Sequence, residues 1–231
     1  MTKQAQVMVV APHPDDAEFG VAGSVAKWVK EGKEVVYVLA TNGDKGTSDI
    51  NMPPEKLVRI REKEQMTAAK MVGVNDVVFL GHPDQSLEDT DEFRKEIVRL
   101  IRMYRPETVV TSDPYRRYVW HRDHRITGRV VLDAVFPYAR DHLSYPDLLK
   151  EGLKPHKVKE ILFWGAEEQN CHLDITDTFN VKIAALSCHR SQIKDHNSSD
   201  LTERMRKHYQ VLAKGENYEL AEAFHRVELR R

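Results

Sequence analysis

The sequence predicts an α/β fold, a mostly parallel sheet with helices on both faces, and three observations carry that reading. Short, mainly apolar runs alternate with longer segments whose apolar residues recur at helical spacing. The runs at residues 6–11, 34–40, 76–80 and 108–111 are rich in valine and lack the polar alternation of a half-exposed sheet, as strands buried on both faces require. Each parallel return needs a crossover, and the helical segments between the runs supply it.

Residues 6–11 form the first strand, and residues 17–31 read as a helix with Val21, Val25, Trp28 and Val29 on one face and Gly32 just past its end. After the second strand (34–40), residues 41–53 form a polar loop punctuated by Gly43, Gly46 and Pro53. Pro54 suits a first helical turn and opens a long helix that stops at Gly73. The third strand is 76–80. Phe93, Ile97, Leu100, Ile101 and Tyr104 then mark the inner face of another helix, and 108–111 is the fourth strand. Beyond it, Ile126, Val130, Val131 and Val135 predict a helix over 124–138. Residues 141–157 read as a charged, exposed excursion broken by Pro146 and Pro155. A fifth strand is expected at 158–164 and a shorter one at 172–175, with helices over 179–190 and 201–214.

Composition bounds the function. A chain of 231 residues suits one α/β domain spanning 1–231. Lys plus Arg number 35 against 36 Asp plus Glu, a net charge of −1, which gives no overall footprint for nucleic acid or an anionic membrane. No apolar run approaches the roughly 20 residues of a membrane span. The first residues lack the hydrophobic region of a signal peptide, and Cys171 and Cys188 read as two free thiols. A cytoplasmic location is expected.

In an open parallel sheet, ligands bind beyond the carboxyl ends of the strands, where strand order reverses. With the order 3-2-1-4-5, strands one and four are neighbours at that point. The first is followed by His13-Pro14-Asp15-Asp16 and the fourth by His121-Arg122-Asp123-His124, so two clusters remote in sequence are expected to meet in one crevice.

His13, Asp16 and His124 can supply a two-histidine, one-carboxylate set of the kind that holds a catalytic zinc and leaves room for water. Such a metal lowers the pKa of its water to about 7. Asp15, beside a ligand but directed elsewhere, is the candidate base. His121 can stabilise an oxyanion and protonate a leaving amine, with Asp123 fixing its tautomer. Either Asp15 or Asp16 taken alone could simply cap the following helix. Neither a Gly-x-Gly-x-x-Gly after strand one nor a phosphate-loop motif occurs, which removes the usual support for a nucleotide enzyme.

The stretch Ala11-Pro12-His13-Pro14-Asp15-Asp16-Ala17-Glu18-Phe19-Gly20-Val21-Ala22-Gly23 resembles the signature of the LmbE-like, or PIG-L-like, zinc-dependent N-acetylglucosaminyl deacetylases. The resemblance runs from residue 7 to about residue 226. It implies a Rossmann-like fold, a Zn2+ cofactor, hydrolysis of an N-acetyl group from a small amino-sugar substrate, and a homo-oligomer, hexamers included. By matching positions, His13, Asp16 and His124 resemble the zinc ligands, Asp15 the base, His121 the residue at the tetrahedral intermediate and Asp123 its orienting partner. Arg61 resembles an arginine that faces the sugar, against the alternative of a solvated helix face. Asp84 resembles an aspartate that binds sugar hydroxyls, against the alternative of a turn former after Pro83.

Arg122 departs from the family's usual proline, and Tyr118 stands near, but out of register with, a site tyrosine of some relatives. The resemblance extends to His189-Arg190-Ser191-Gln192 and to Asp174-Ile175-Thr176 without giving either a chemical role; His172 and His189 read as structural or rim residues. Related amidases acting on another amide, such as a thiol conjugate, and a non-catalytic sugar- or metal-binding protein are the competing expectations. Iron or cobalt would suit the same donors as zinc.

Overall fold

The computed structural model describes residues 4–193 and 198–229. Five strands run parallel: β1 (Val7–Ala11), β2 (Val35–Thr41), β3 (Asp76–His82), β4 (Thr108–Ser112) and β5 (Glu160–Trp164). Two further strands, β6 (Cys171–Asp174) and β7 (Ala221–Glu228), complete a sheet of order β3-β2-β1-β4-β5-β7-β6, in which β7 lies antiparallel to both its neighbours. The helices in chain order are α1 (Asp16–Gly20), α2 (Ala22–Lys30), α3 (Pro54–Met71), α4 (Asp91–Tyr104), α5 (Arg122–Asp133), α6 (Pro146–Lys150), α7 (Phe179–Leu186), α8 (Arg190–Ile193) and α9 (Ser198–Leu212). None of the described helices is long and apolar enough to cross a membrane.

The central strands β1, β2 and β4 are buried on both faces because successive side chains feed two separate cores, whereas β3, at the sheet edge, is half-buried. Met8 and Val10 of β1 pack with Ile97 and Ile101 of α4 and with Val130 and Val131 of α5. Val7, Val9 and Ala11 point the other way, into a cluster with Val25 and Trp28 of α2 and Ala68 and Ala69 of α3. Full burial of such side chains contributes about 1.5–3 kcal/mol each. That explains why the central strands were legible from hydrophobicity alone.

Several elements differ from the sequence expectation, each for a tertiary reason. The helix expected at 17–31 is broken at Val21, and α2 restarts under a cap that its own neighbours lack. Glu222, from β7, accepts the backbone N–H groups of Gly23 (3.0 Å) and Ser24 (2.8 Å). Lys182 of α7 balances this buried carboxylate at 2.6 Å and also donates to the carbonyl of Phe19. β7 itself was not anticipated: its polar residues Glu222, His225 and Arg226 obscure the apolar pattern of a strand. The helix expected at 124–138 starts at Arg122 and loses regular form over residues 134–138, where Phe136 adopts an extended backbone. The helix expected at 179–190 stops at Leu186.

The excursion 141–157 is not wholly exposed. It carries α6, whose Leu148 is buried, and it is pinned by Arg102 of α4. Arg102 is fully buried and donates to the carbonyls of Tyr138, Ala139, Asp141, Ser144 and Tyr145. Five carbonyl acceptors offset the cost of burying the guanidinium.

Phe224 of β7 is fully buried against the second core and pairs with Trp164 of β5. Phe224→Ala is expected to lower unfolding stability by about 3–5 kcal/mol, measured by urea titration. A loss below about 1 kcal/mol would mean that β7 is a peripheral addition rather than part of the core.

Candidate metal centre

β1 and β4 pair in parallel from Val7↔Thr108 to Val10↔Thr111, so the loops that leave their carboxyl ends emerge side by side. The hydroxyl of Thr111 donates to the carbonyl of Val10 at 2.9 Å and locks the two strand ends together. After β1 the chain turns through His13 and Asp15, and Asp16 begins α1. After β4, His121 caps α5, and its Nδ1 accepts the backbone N–H of Asp123 at 3.2 Å. His124 then faces back across the strand ends. Its carbonyl accepts from the hydroxyl of Ser112 at 2.8 Å, and α5 lies so close to β4 that a Cβ on Gly128 would sit 2.3 Å from the carbonyl oxygen of Ser112.

Two imidazoles converge on one carboxylate oxygen. His13 Nδ1 lies 3.0 Å and His124 Nε2 3.1 Å from Asp16 Oδ2. These three atoms lie within 4.8 Å of one another and could hold a metal ion. A tetrahedral zinc, with bonds of about 2.0–2.2 Å, needs ligand atoms about 3.3 Å apart. The backbone N–H of His13 also donates to Asp16 Oδ2 at 2.9 Å, which fixes the carboxylate. His124 Nδ1 is buried without a hydrogen-bond partner.

The far side of His13 is acidic. Its Nε2 lies 3.0 Å from Asp84 Oδ1 and 3.2 Å from Asp123 Oδ2, and the latter oxygen also accepts the Gln85 N–H at 2.7 Å. Burial disfavours a charged His13, yet the hydrogen bonds it donates to Asp123, Asp16 and Asp84 override this and push the pKa up to about 12. Asp84 is held down to about 2: burial works against this, and its bond to His13 prevails. Burial likewise opposes ionisation of Asp16, but His124 and His13 hold it below the ordinary carboxylate range. The Asp123 carboxylate thus bonds to His13, and its hydrogen bond with His121 is made through its backbone N–H. Burial and the charge of His13 depress the pKa of His121, and with Nδ1 accepting, its neutral ring carries the proton on Nε2.

Asp15 differs from its neighbour in every respect that matters to chemistry. Its backbone has φ 107, a conformation costly for a residue with a side chain. Its carboxyl is pushed up to about 7 by burial and by the charge of Asp16, against the pull of Arg61. Arg61 NH2 stands 3.4 Å from Asp15 Oδ2. Arg61 does not occupy a solvated face: it is 3% exposed and donates to the carbonyls of Gly43 (3.0 Å) and Pro14 (2.5 Å). The loop over 41–53 wraps the guanidinium so tightly that a Cβ on Gly46 would lie 2.2 Å from it.

Beside the centre, a cleft of about 460 Å³ is lined by Asp16 and His124 together with Phe19, Arg116, Trp120 and Trp164. The Arg116 guanidinium lies 4.4 Å from the Trp120 ring centroid. Arg122 reaches away from the centre, to the carbonyl of Leu87 and to Glu88, and ties α5 to the loop that carries Asp84. Tyr118 is 87% exposed, with its side chain in solvent. His172 lies on the edge strand β6, 3.7 Å from Glu216. Sequence reasoning missed Glu18 and Gln65, both fully buried beside Asp15. The signal was present in α3, where Arg61 and Gln65 interrupt the buried stripe of Leu57, Ala68 and Ala69.

Residues 8–135 match the model of the PIG-L family, described as GlcNAc-PI de-N-acetylase. The chain is 35% identical to the diacetylchitobiose deacetylase of Thermococcus kodakarensis over 82% of its length and 71% of the relative's. It is 30% identical to the probable N-acetyl-alpha-D-glucosaminyl L-malate deacetylase 2 of Bacillus subtilis, over 90% of this chain and 91% of that one. Among solved structures, the N,N'-diacetylchitobiose deacetylase of Pyrococcus horikoshii superposes with a TM-score of 0.91 at 30% identity, covering 97% of this chain and 84% of that chain.

A metal that takes Nδ1 of His13 must displace the proton held there, so uptake is expected to release protons. Apparent zinc affinity should therefore rise with pH through the neutral range, by about tenfold per unit for one displaced proton. Competition against a chromophoric chelator measures this, and an affinity independent of pH would remove His13 from the ligand set.

Proposed function

Because the chain belongs to the PIG-L, GlcNAc-PI de-N-acetylase family, we propose that it is a zinc-dependent hydrolase that removes the acetyl group from a substrate containing N-acetylglucosamine. The observation that carries this reading is the convergence of His13 Nδ1 and His124 Nε2 on Asp16 Oδ2, with an Asp15 carboxyl of pKa about 7 next in the chain. A zinc ion held by His13, Asp16 and His124 would supply Lewis acidity, lowering the pKa of a water and polarising the amide carbonyl.

The chain's own groups divide the remaining work. Asp15 is the base: its carboxylate accepts a proton from the attacking water, and a pKa near neutrality lets it pass that proton on. His121 offers Nε2–H to the oxygen that gains negative charge at the acetyl carbon. The C–N bond then breaks, the departing nitrogen takes a proton, and acetate and a free amino sugar remain. Asp123 and Asp84 hold the distal nitrogen of His13 and so orient the ring whose Nδ1 would bind the metal. Arg61 holds the turn at Pro14 and steadies the Asp15 carboxylate.

The cleft suits a carbohydrate. The rings of Phe19 and Trp120 offer apolar surface to the C–H face of a pyranose, and Arg116 offers donors to its hydroxyls. The relatives named for diacetylchitobiose and for N-acetylglucosaminyl malate share the N-acetylglucosamine unit, and we assign that unit to this chain's substrate.

Acetate release from a panel of N-acetylglucosaminides is the direct assay. Asp15→Asn is expected to keep its zinc and lose about 100-fold or more in kcat. Unchanged turnover in that variant would refute the role of base, and no turnover on any sugar, with turnover on another amide, would overturn the substrate class.

A further inference from the structure

The segment His189-Arg190-Ser191-Gln192 lies outside the metal centre, at the break between α7 and α8, yet three of its side chains reach toward the base. His189 Nε2 lies 3.1 Å from Glu18 Oε2. Glu18 Oε1 accepts from Gln65 Nε2 at 2.9 Å, and Gln65 Oε1 accepts the backbone N–H of Asp15 at 3.0 Å. Glu18, Gln65 and His189 are all fully buried. Ser191 binds Glu64 through its N–H (2.9 Å) and its hydroxyl (2.6 Å), and Gln192 donates to the carbonyl of Gly46 at 3.0 Å. Glu64 is on α3 with Gln65, and Gly46 belongs to the loop around Arg61. Each contact thus ends on an element that holds Asp15.

The order of donors and acceptors gives the chain of contacts its direction. Glu18 as a carboxylate accepts only, so it turns the amide of Gln65 to present Nε2 and leaves Oε1 facing Asp15. His189 supplies the second donor that keeps Glu18 in that place. Without Oε1, nothing else among the described contacts holds the Asp15 N–H, and its backbone at φ 107 is strained for a residue with a side chain. Packing alone does not require this arrangement, since an apolar core of equal volume would join α3 to α7 at least as firmly.

We propose that His189, Glu18 and Gln65 are positioning residues that hold the backbone of Asp15 in its strained turn and so aim the base at the water it deprotonates. The inference rests on Asp15 being the base. A displacement of the base by a fraction of an ångström lowers the rate of the chemical step and leaves substrate and metal affinity alone.

The test uses the zinc-loaded full chain in the acetate assay, with Gln65→Met, His189→Phe, His189→Gln, the Gln65→Met/His189→Phe double variant and Asp15→Asn. Gln65→Met and His189→Phe are expected to lower kcat by about 10- to 100-fold with KM and zinc content unchanged. The double variant should be no slower than the worse single variant, because both break one chain of contacts. His189→Gln, which keeps a donor for Glu18, should recover most of kcat. Wild-type kcat in a folded, zinc-loaded Gln65→Met variant, or losses that multiply in the double variant, would overturn the proposal. If His189→Phe does not fold, Gln65→Met together with His189→Gln decides it. Normal turnover in Asp15→Asn would instead locate the failure in the assignment of the base.

Discussion

The whole site depends on β1 and β4 lying side by side in parallel register. That pairing is what brings His13 and Asp16 from one loop into contact with His121, Asp123 and His124 from the other. The spacing of the two loops follows the inter-strand distance of about 4.8 Å and the directions in which α1 and α5 leave the sheet. Both departures are guarded by close approach. α5 packs on β4 through Gly128, and α1 is held by carbonyl and side-chain contacts from Lys182 and Tyr209 onto Phe19.

Charge sets the chemistry within that frame. Three carboxylates, Asp16, Asp84 and Asp123, stand within hydrogen-bonding distance of a single imidazole, His13. Such an excess of buried negative charge favours a cation at its centre, and the proton whose loss from His13 these carboxylates oppose is the smallest one available. Burial, together with the charge of Asp16, raises Asp15 to about 7 while Asp16 stays ionised. Adjacent carboxylates therefore take opposite roles, one suited to a cation and one to a proton in transit. Their difference comes from partners: Asp16 has two imidazoles, whereas Asp15 has one guanidinium at 3.4 Å and a buried setting.

The second half of the chain braces the first. Glu222 of β7 caps α2, Lys182 of α7 neutralises Glu222, and His189 secures Glu18. All of these groups are buried, and each is paired with a partner remote in sequence. Ion pairs of this kind add little net stability over apolar packing, but they demand one geometry. Their effect is to specify where α1 and α2 begin and end, and with them the turn that presents Asp15 and Asp16.

Hydrophobic patterning along the chain is enough to predict the fold class, and the order 3-2-1-4-5, the common one for such sheets, then predicts that the His13 and His121 clusters meet. Valine runs buried on both faces and helical spacing between them are local signals, and the parallel topology leaves few arrangements. Packing settles what local pattern does not: the break at Val21, the strand β7, the burial of Arg61 and the bond of the Asp123 carboxylate to His13. Each of these depends on a polar side chain whose partner is distant along the chain, such as Glu222 for Gly23 or Gly43 for Arg61. Hydrophobic periodicity reports which face of an element is buried, but a hydrogen bond also requires direction and distance. Those two quantities exist only once the elements have packed.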